Sequence, residues 1–193
     1  PPAATPGPGA SRDRPVAEGT DRQRRVRGGG TCAMLRRDGG RLYVEVMTSR
    51  GEGDPFARQQ HLHGLGLRRG DTIALMISNR PEFHLADIAA MMVGATPFSI
   101  YMTYAPGQIA YVVGDADAKI LITEQQFVDN VLKAREELPH LEHVIVVDGD
   151  SREGVMTLDE ALSHNDGSFD VEASVAEIGP EDILTLIYTS GTT

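Results

Sequence analysis

Residues 72–94 read TIALMISNRPEFHLADIAAMMVG, and this stretch decides the fold. Residues 72–77 are almost continuously apolar, which is typical of a strand buried on both faces of a parallel sheet. A polar turn, Pro81 and Glu82 follow, and this combination favours the start of a helix. Apolar residues then recur on one face as far as Gly94, which is expected to end the helix. The stretch therefore predicts one strand followed by one helix packed against it.

The same alternation continues toward the C-terminus. Further strands are predicted at residues 96–101, 119–123, 143–147 and 183–188, and further helices at residues 106–113, 124–138 and 158–164. Several of these strands are apolar on both faces, so the predicted fold class is α/β, with a mainly parallel sheet that carries helices on both faces. In such sheets, ligands bind at the carboxyl ends of the strands.

The N-terminal part of the chain has a different composition. Residues 1–35 are rich in proline, glycine and arginine, and we expect a disordered tail because they cannot bury enough apolar surface to offset the entropy of ordering. Residues 36–61 are poorly patterned, apart from a strand-like alternation at residues 41–47. A basic cluster spans Arg22 to Arg27, but nucleic-acid binding is disfavoured because neither a folded reading element nor a stacking aromatic surface accompanies it.

Composition limits the cellular setting. The net charge of −10 is uneven, since basic residues concentrate in residues 1–70 and acidic residues in residues 71–193. The single cysteine, Cys32, excludes a disulfide within the chain and favours a reducing cytosol. No stretch is apolar over the length of a bilayer, and no signal-peptide core is present. We expect a cytoplasmic protein without a transmembrane segment, and peripheral membrane association stays open.

The last six residues, Tyr188–Thr193, read YTSGTT and follow a predicted apolar strand. Phosphate oxygens are bound by backbone N–H groups and hydroxyls, and small residues let the backbone approach them. A glycine supplies the conformational freedom that such a turn needs. The residues predicted to bind phosphate are Thr189, Ser190, Gly191, Thr192 and Thr193. As a bare pattern such a turn is more often only a turn, but the preceding segments favour the phosphate interpretation.

Three segments in the correct order resemble a known family, the adenylate-forming enzymes and in particular the acyl-CoA synthetases. They are residues 65–71 (LGLRRGD) with the strand and helix that follow, residues 94–119, and the terminal YTSGTT. Residues 99–101 and 120–124 fit the fatty-acid-activating branch better than the amino-acid-activating branch. The resemblance covers about residues 62–193 and implies a partial N-terminal subdomain, an AMP-binding domain that ends within its phosphate loop.

The resemblance implies a fatty-acid–CoA ligase. In that family a carboxylate attacks the α-phosphate of ATP, and coenzyme A then displaces AMP, with Mg²⁺ assisting. ATP, Mg²⁺ and coenzyme A are therefore the implied cofactors and a fatty acid the implied substrate, with Thr189 as the metal contact. No catalytic residue is assigned, because the family's loop continues to a lysine that these 193 residues do not include. We expect the 193 residues to be inactive alone.

Two alternatives to an enzyme fragment stay open. One is a non-enzymatic remnant or interaction module that retains half of a nucleotide-binding fold. The other is a nucleic-acid binder that acts through its basic tail, which requires a steep salt dependence of binding.

Several short patterns are interpreted as structural. His61 and His63 lack the further ligands of a tetrahedral metal site. Asp148-Gly149-Asp150 resembles a calcium loop, but Glu153 stands where the loop needs glycine. Relatives of the family carry an amphipathic helix just before residue 65, whereas residues 49–60 show no such stripe, and a shifted reading frame is one hypothesis for this interval.

Overall fold

The computed structural model of the protein describes residues 32–38, 41–48, 51–53 and 55–189, with side chains from Gln59 onward. The predicted tail, up to residue 31, and residues 190–193 of the predicted phosphate loop therefore lie outside the described residues. The expected end of the tail at residue 35 falls inside a strand that begins at Cys32. Residues 36–61, predicted to be poorly patterned, contain most of an antiparallel sheet and the start of a helix.

The N-terminal elements form a small antiparallel sheet. Its strands are β1 (Cys32–Asp38), β2 (Arg41–Thr48) and β3 (Gly51–Gly53), in that spatial order. The alternation of residues 41–47 correctly predicts β2. Helix α1 (Pro55–Gly64) follows, in the interval where the sequence analysis found no helical stripe.

The rest of the chain builds a five-stranded parallel sheet, as predicted. The strands are β4 (Thr72–Met76), β5 (Thr96–Ser99), β6 (Ile120–Thr123), β7 (His143–Val146) and β8 (Met156–Thr157), in the order β5-β4-β6-β7-β8. The helices between and after them are α2 (Pro81–Val93), α3 (Pro106–Asp115), α4 (Val128–Arg135), α5 (Leu158–Ser163) and α6 (Val171–Glu177). All strand pairs in this sheet are parallel.

Successive strand residues point to opposite faces, so the sheet carries two cores. One core packs Ala74, Met76 and Leu121 against apolar residues of α3 and α4. The other packs Ile73 and Leu75 against apolar residues of α1, α2 and α5. Residues 72–77 are apolar throughout because both of their faces are buried, which is why this stretch identified the sheet.

Helix α2 has the boundaries that its sequence predicts. Pro81 occupies the first turn, where its missing N–H removes no helical hydrogen bond. Gly94 ends the helix in the left-handed conformation at φ 79°, and its N–H meets the carbonyls of Ala90 and Met91. A Cβ at this position would lie 3.0 Å from Cγ of Arg69, so glycine is favoured by space as well as by conformation.

Two predicted elements differ from the structure, and two short elements of the parallel-sheet domain were not predicted. The helix predicted at 124–138 is a short 3-10 turn at Gln125–Phe127 followed by α4, which ends at Arg135. The strand predicted at 183–188 is reduced to a single parallel bridge between Leu186 and Phe98. Strand β8 and helix α6 are short elements that carry little apolar periodicity, and the sequence analysis did not predict them.

Candidate functional site

The segment of residues 179–189 brings Thr189, the first residue of the predicted phosphate loop, to one edge of the parallel sheet. Thr96 Oγ1 donates to the carbonyl oxygen of Ile183 at 2.9 Å, and Thr185 Oγ1 donates to that of Pro97 at 2.8 Å. The N–H of Leu186 also points to the carbonyl of Pro97, at 3.4 Å. The segment therefore runs parallel to β5 and continues beyond Leu186 toward the carboxyl end of the sheet.

Only one side of this segment is attached to the sheet. The outward side chains of Ile183, Leu184 and Ile187 are 65%, 62% and 80% exposed. Leu186 and Tyr188 pack against the core that lies between the sheet and helices α3 and α4. A strand that is apolar on both faces is fully stabilised only when both faces are covered, which explains why the segment makes a bridge rather than an extended ladder.

Tyr188 holds the last described contact with the body of the domain. Its phenolic O–H donates to Asp115 Oδ2 at 2.8 Å, and its ring lies 5.5 Å from that of Phe98 between centroids. Burial, followed by the hydrogen bond to Asp115, raises the pKa of Tyr188 to about 12. The phenol is therefore protonated at neutral pH and acts as a donor.

Thr189 follows directly and is exposed, so its hydroxyl and backbone are accessible to a ligand. The other predicted phosphate-binding residues, Ser190, Gly191, Thr192 and Thr193, lie outside the described residues. Their role and the metal contact of Thr189 stay predictions.

The start of the same segment is attached by charge. Asp182 Oδ2 accepts from Arg69 Nη2 at 2.6 Å and from the N–H of Gly179 at 2.9 Å. Arg69 Nη1 also donates to the carbonyl oxygen of Glu177 at 2.5 Å. The Gly179 N–H first, and Arg69 second, lower the pKa of Asp182. The segment is thus fastened at both ends, at Asp182 and at Tyr188.

A cluster of charged side chains occupies the carboxyl ends of the three central strands. The Arg80 guanidinium lies 2.5 Å from Asp148 Oδ2, 3.0 Å from Glu82 Oε2 and 3.6 Å from Glu124 Oε2. Glu124 is buried and accepts from the N–H of Ser78 at 2.5 Å. Sequence reasoning missed this cluster, although Arg80, Glu82 and Glu124 stand in the segments that it singled out.

The carboxylate of Glu124 is charged despite its burial. Burial raises its pKa, but the hydrogen bonds from Ser78 and Gln126 and the charge of Arg80 together outweigh burial and lower the pKa overall. Asp148 Oδ1 accepts from the N–H of Gln125 at 2.8 Å. Asp148, the first acidic residue of the calcium-loop pattern, is therefore engaged in structural contacts with Arg80 and Gln125.

His63 of α1 makes contacts with the segment between α5 and α6. His63 Nδ1 lies 2.8 Å from Asp166 Oδ2, and its ring stacks on Phe169 at 4.4 Å between centroids. Within residues 59–189, whose side chains are described, no three histidine, cysteine or acidic side chains are grouped as metal ligands. No helix among the described residues is long and apolar enough to cross a bilayer.

Two features of the described surface, an apolar cavity and a groove, lie away from residues 183–189. A small apolar cavity of about 30 Å³ lies between α1, α2 and α5 and is lined by residues such as Leu65, Ala86 and Ile145. A shallow groove of about 610 Å³ beside β7 and β8 is lined by residues that include Arg135, His143 and Arg152. Thr189, the described residue of the predicted loop, lines neither feature.

Comparisons with known proteins agree with this architecture. A model of the family "AMP-binding enzyme" matches residues 59–193. An uncharacterized protein of Mycobacterium tuberculosis is 49% identical over 88 residues, which cover 46% of this chain and 49% of that protein. A 4-coumarate–CoA ligase of Arabidopsis thaliana is 32% identical over 139 residues, 69% of this chain and 24% of the ligase. A long-chain-fatty-acid–CoA ligase of Mycobacterium bovis is 32% identical over 133 residues, 68% of this chain and 22% of the ligase.

Solved structures give the same result. The anthranilate CoA ligase AuaEII, determined in complex with anthranoyl-AMP, aligns with a TM-score of 0.66 at 27% identity and covers 75% of this chain and 29% of the ligase chain. A long-chain-fatty-acid-CoA ligase of Archaeoglobus fulgidus aligns with a TM-score of 0.62 at 24% identity over 72% of this chain and 26% of its own, and it supports the fold alone.

The parallel sheet and these relatives define a class of protein, the adenylate-forming enzymes that include acyl- and aryl-CoA ligases. Within that class, the chain belongs to the AMP-binding enzyme family, whose model spans residues 59–193. The chain spans about half of the M. tuberculosis protein and about a quarter of the CoA ligases.

Proposed function

We propose that the chain supplies part of the ATP site of a CoA ligase that activates a carboxylic acid. The observation that carries the proposal is the attachment of residues 183–188 along β5, which directs Thr189 to the carboxyl end of a parallel sheet. Ligands bind at this end in α/β folds. The AMP-binding family and its CoA-ligase relatives support ATP and coenzyme A as substrates.

Within this proposal, the loop from Thr189 to Thr193 holds the β- and γ-phosphates of ATP. Thr189 fits this role because it is exposed at the end of an anchored segment, and its hydroxyl and backbone N–H are suited to phosphate oxygens. A hydroxyl oxygen is also a ligand that Mg²⁺ accepts, so Thr189 would contact the metal ion. Mg²⁺ would neutralise charge on the phosphates while the carboxylate reacts at the α-phosphate.

The finer proposal is a fatty acid as the activated acid, which places the chain in fatty acid and lipid metabolism. The motifs at residues 99–101 and 120–124 support the acyl-activating branch, and a long-chain-fatty-acid–CoA ligase is among the relatives. Relatives that act on 4-coumarate make an aromatic acid the competing substrate. The single cysteine supports a cytoplasmic location.

The proposal includes inactivity of the 193 residues by themselves. The family's loop lysine, and the later segments that hold adenine and the acyl group, are not among these residues. ATP–pyrophosphate exchange with a panel of fatty and aromatic acids tests this point. We expect no exchange above background, and exchange with any acid would contradict this part of the proposal.

Direct binding of ATP tests the proposed site itself. Isothermal titration of the 193-residue chain with MgATP is expected to show saturable binding, and Thr189→Val should weaken it about tenfold or more, the equivalent of one hydrogen bond to a charged group. Thr103→Val is the matched control, because Thr103 is also exposed near the end of β5 but lies outside the loop. Equal binding by both variants would refute the assignment of Thr189.

The interaction module remains the second candidate, and one observation favours it. Ile183, Leu184 and Ile187 present an exposed apolar strip along an unpaired strand edge, and such edges pair with other chains. Light scattering after size-exclusion chromatography distinguishes the two functions. Self-association without MgATP binding would favour the module, whereas a monomer that binds MgATP would favour the ATP site.

A further inference from the structure

The way in which residues 183–188 are held determines the position of Thr189, which follows them. Thr185, Leu186 and Tyr188 are the residues of this stretch that contact the sheet or its core by side chain or N–H, and the intervening Ile187 faces solvent. Tyr188 is the last of these contacts before Thr189. Adjacent Cα atoms are fixed at about 3.8 Å, so a shift of Tyr188 is passed directly to Thr189.

The partner of Tyr188 comes from a distant part of the chain. Asp115 is the last residue of helix α3, 73 positions away, and its Oδ2 accepts the phenolic proton at 2.8 Å. The ring of Tyr188 is steadied by Phe98 of β5. Two independent elements, helix α3 and strand β5, therefore fix both ends of the Tyr188 side chain.

The location of Asp115 is unfavourable for the helix that carries it. The C-terminus of a helix bears a partial negative charge, so an acidic residue there lowers helix stability. No basic residue stands in the last turn of α3 to compensate. A carboxylate that conflicts with its local setting and is engaged in a tertiary contact indicates a role beyond the helix.

We propose that Asp115 is a positioning residue for Thr189 and acts through Tyr188. This inference rests on the proposed ATP site, and it assigns to Asp115 no contact with the nucleotide. The Asp115–Tyr188 hydrogen bond holds the segment against α3, and thereby sets where Thr189 meets the phosphates. Loss of the bond leaves the end of the segment held by the packing of Tyr188 on Phe98 and by the contacts of Leu186 and the two threonines, with no hydrogen bond from the phenol to α3, and ATP then meets a less firmly placed Thr189.

Binding and stability separate this role from a structural one. Asp115→Ala and Tyr188→Phe are each expected to weaken MgATP binding about fivefold to tenfold, the effect of one hydrogen bond. The thermal midpoint of Asp115→Ala should stay within about 3 °C of the parent. Loss of the hydrogen bond lowers stability, whereas removal of a negative charge from the C-terminal end of α3 raises it. Asp115→Asn should restore binding, since its amide oxygen also accepts from the phenol. Tyr111→Phe, which removes the phenol of an exposed tyrosine on α3, should change nothing.

Chymotrypsin supplies a readout that does not require ATP. The enzyme cleaves after tyrosine, and Asp115→Ala leaves Tyr188 in place, so cleavage after Tyr188 should be about tenfold faster in Asp115→Ala and near the parent rate in Asp115→Asn. This rate reports local opening of the segment. Cleavage at the other sites should keep its parent rate.

The outcomes distinguish this inference from the proposed function. Saturable MgATP binding by the parent chain with equal affinity in Asp115→Ala and Tyr188→Phe would overturn the positioning role and leave the ATP site intact. Absence of binding by the parent would overturn the ATP site, and unchanged cleavage after Tyr188 would overturn the anchor itself. The double variant gives a further test. If the two substitutions act through the same hydrogen bond, the double variant should bind MgATP about as weakly as a single variant. A loss of affinity equal to the product of the two single losses would contradict a coupling between Asp115 and Tyr188.

Discussion

Removal of the Arg80 side chain is expected to destabilise the domain more than the removal of any surface arginine. Arg80 is 19% exposed, and the three carboxylates around it are 18% (Glu82), 6% (Glu124) and 40% (Asp148) exposed. The contact with Asp148 is the most exposed of the three and is expected to contribute least. The contacts with Glu82 and Glu124 are shielded, and Arg80→Met leaves the Glu124 charge buried with fewer partners, so we expect a loss of about 2–3 kcal/mol.

The assay is urea denaturation at pH 7, with Arg152→Met as the matched control. The pair Arg152–Asp129 is exposed by 39% and 79% at its two side chains, and its loss should cost at most about 1 kcal/mol. Because the pKa of Glu124 is lowered in the folded state, its contribution is present above its unfolded pKa and is lost as the pH falls through its folded pKa. The difference between the parent and Arg80→Met should therefore shrink in acid. Equal losses for the two arginine variants at pH 7 would refute this reasoning.

Two further predictions concern the scaffold under the site. Gly94→Ala should destabilise the domain by about 1 kcal/mol or more, because a Cβ at φ 79° is strained and would lie 3.0 Å from Cγ of Arg69. Thermal unfolding measures the loss. Gly107→Ala is the control, because a Cβ at residue 107 meets no atom within 4 Å. Leu121→Ala should lower the free energy of unfolding by about 2–5 kcal/mol, because Leu121 is fully buried at the centre of the sheet. A loss below about 1 kcal/mol in urea denaturation would contradict the assignment of Leu121 to this core.

The parallel sheet could be predicted from the sequence because its signals are local. The strand at 72–77 is apolar on both faces, and Pro81 and Gly94 mark the ends of the helix that follows. Each of these features affects the conformation of residues close to it in the sequence. The strand and the helix could therefore be predicted without knowledge of strand pairing or of side-chain packing.

Helix α1 could not be predicted because its buried face is partly polar. Gln59 is fully buried, and its Nε2 donates to Met92 Sδ at 2.7 Å on α2. A search for an apolar stripe counts this glutamine as a surface residue. The contact that buries it comes from a residue 33 positions away.

The charged cluster around Arg80 and the attachment of Tyr188 could not be predicted from the sequence either, because both depend on contacts between distant residues. Arg80 meets Asp148 across 68 positions, and Tyr188 meets Asp115 across 73 positions. No spacing rule connects residues so far apart, whereas the assignment of residues 188–193 as a phosphate loop rests on a local pattern and stays a prediction.

The spatial order of the strands has a consequence for folding. After β8, at one edge of the sheet, the chain must travel to β5 at the other edge before Leu186 can dock. On the way the N–H of Asp166 donates to the carbonyl of Gln60 on α1, and Ser174 Oγ donates to the carbonyl of Met92 on α2. Closure of so long a connection is slow, so the edge beside β5 is expected to be completed last. A ligand that binds at this edge would then bind only molecules in which the whole connection from β8 to Leu186 has folded.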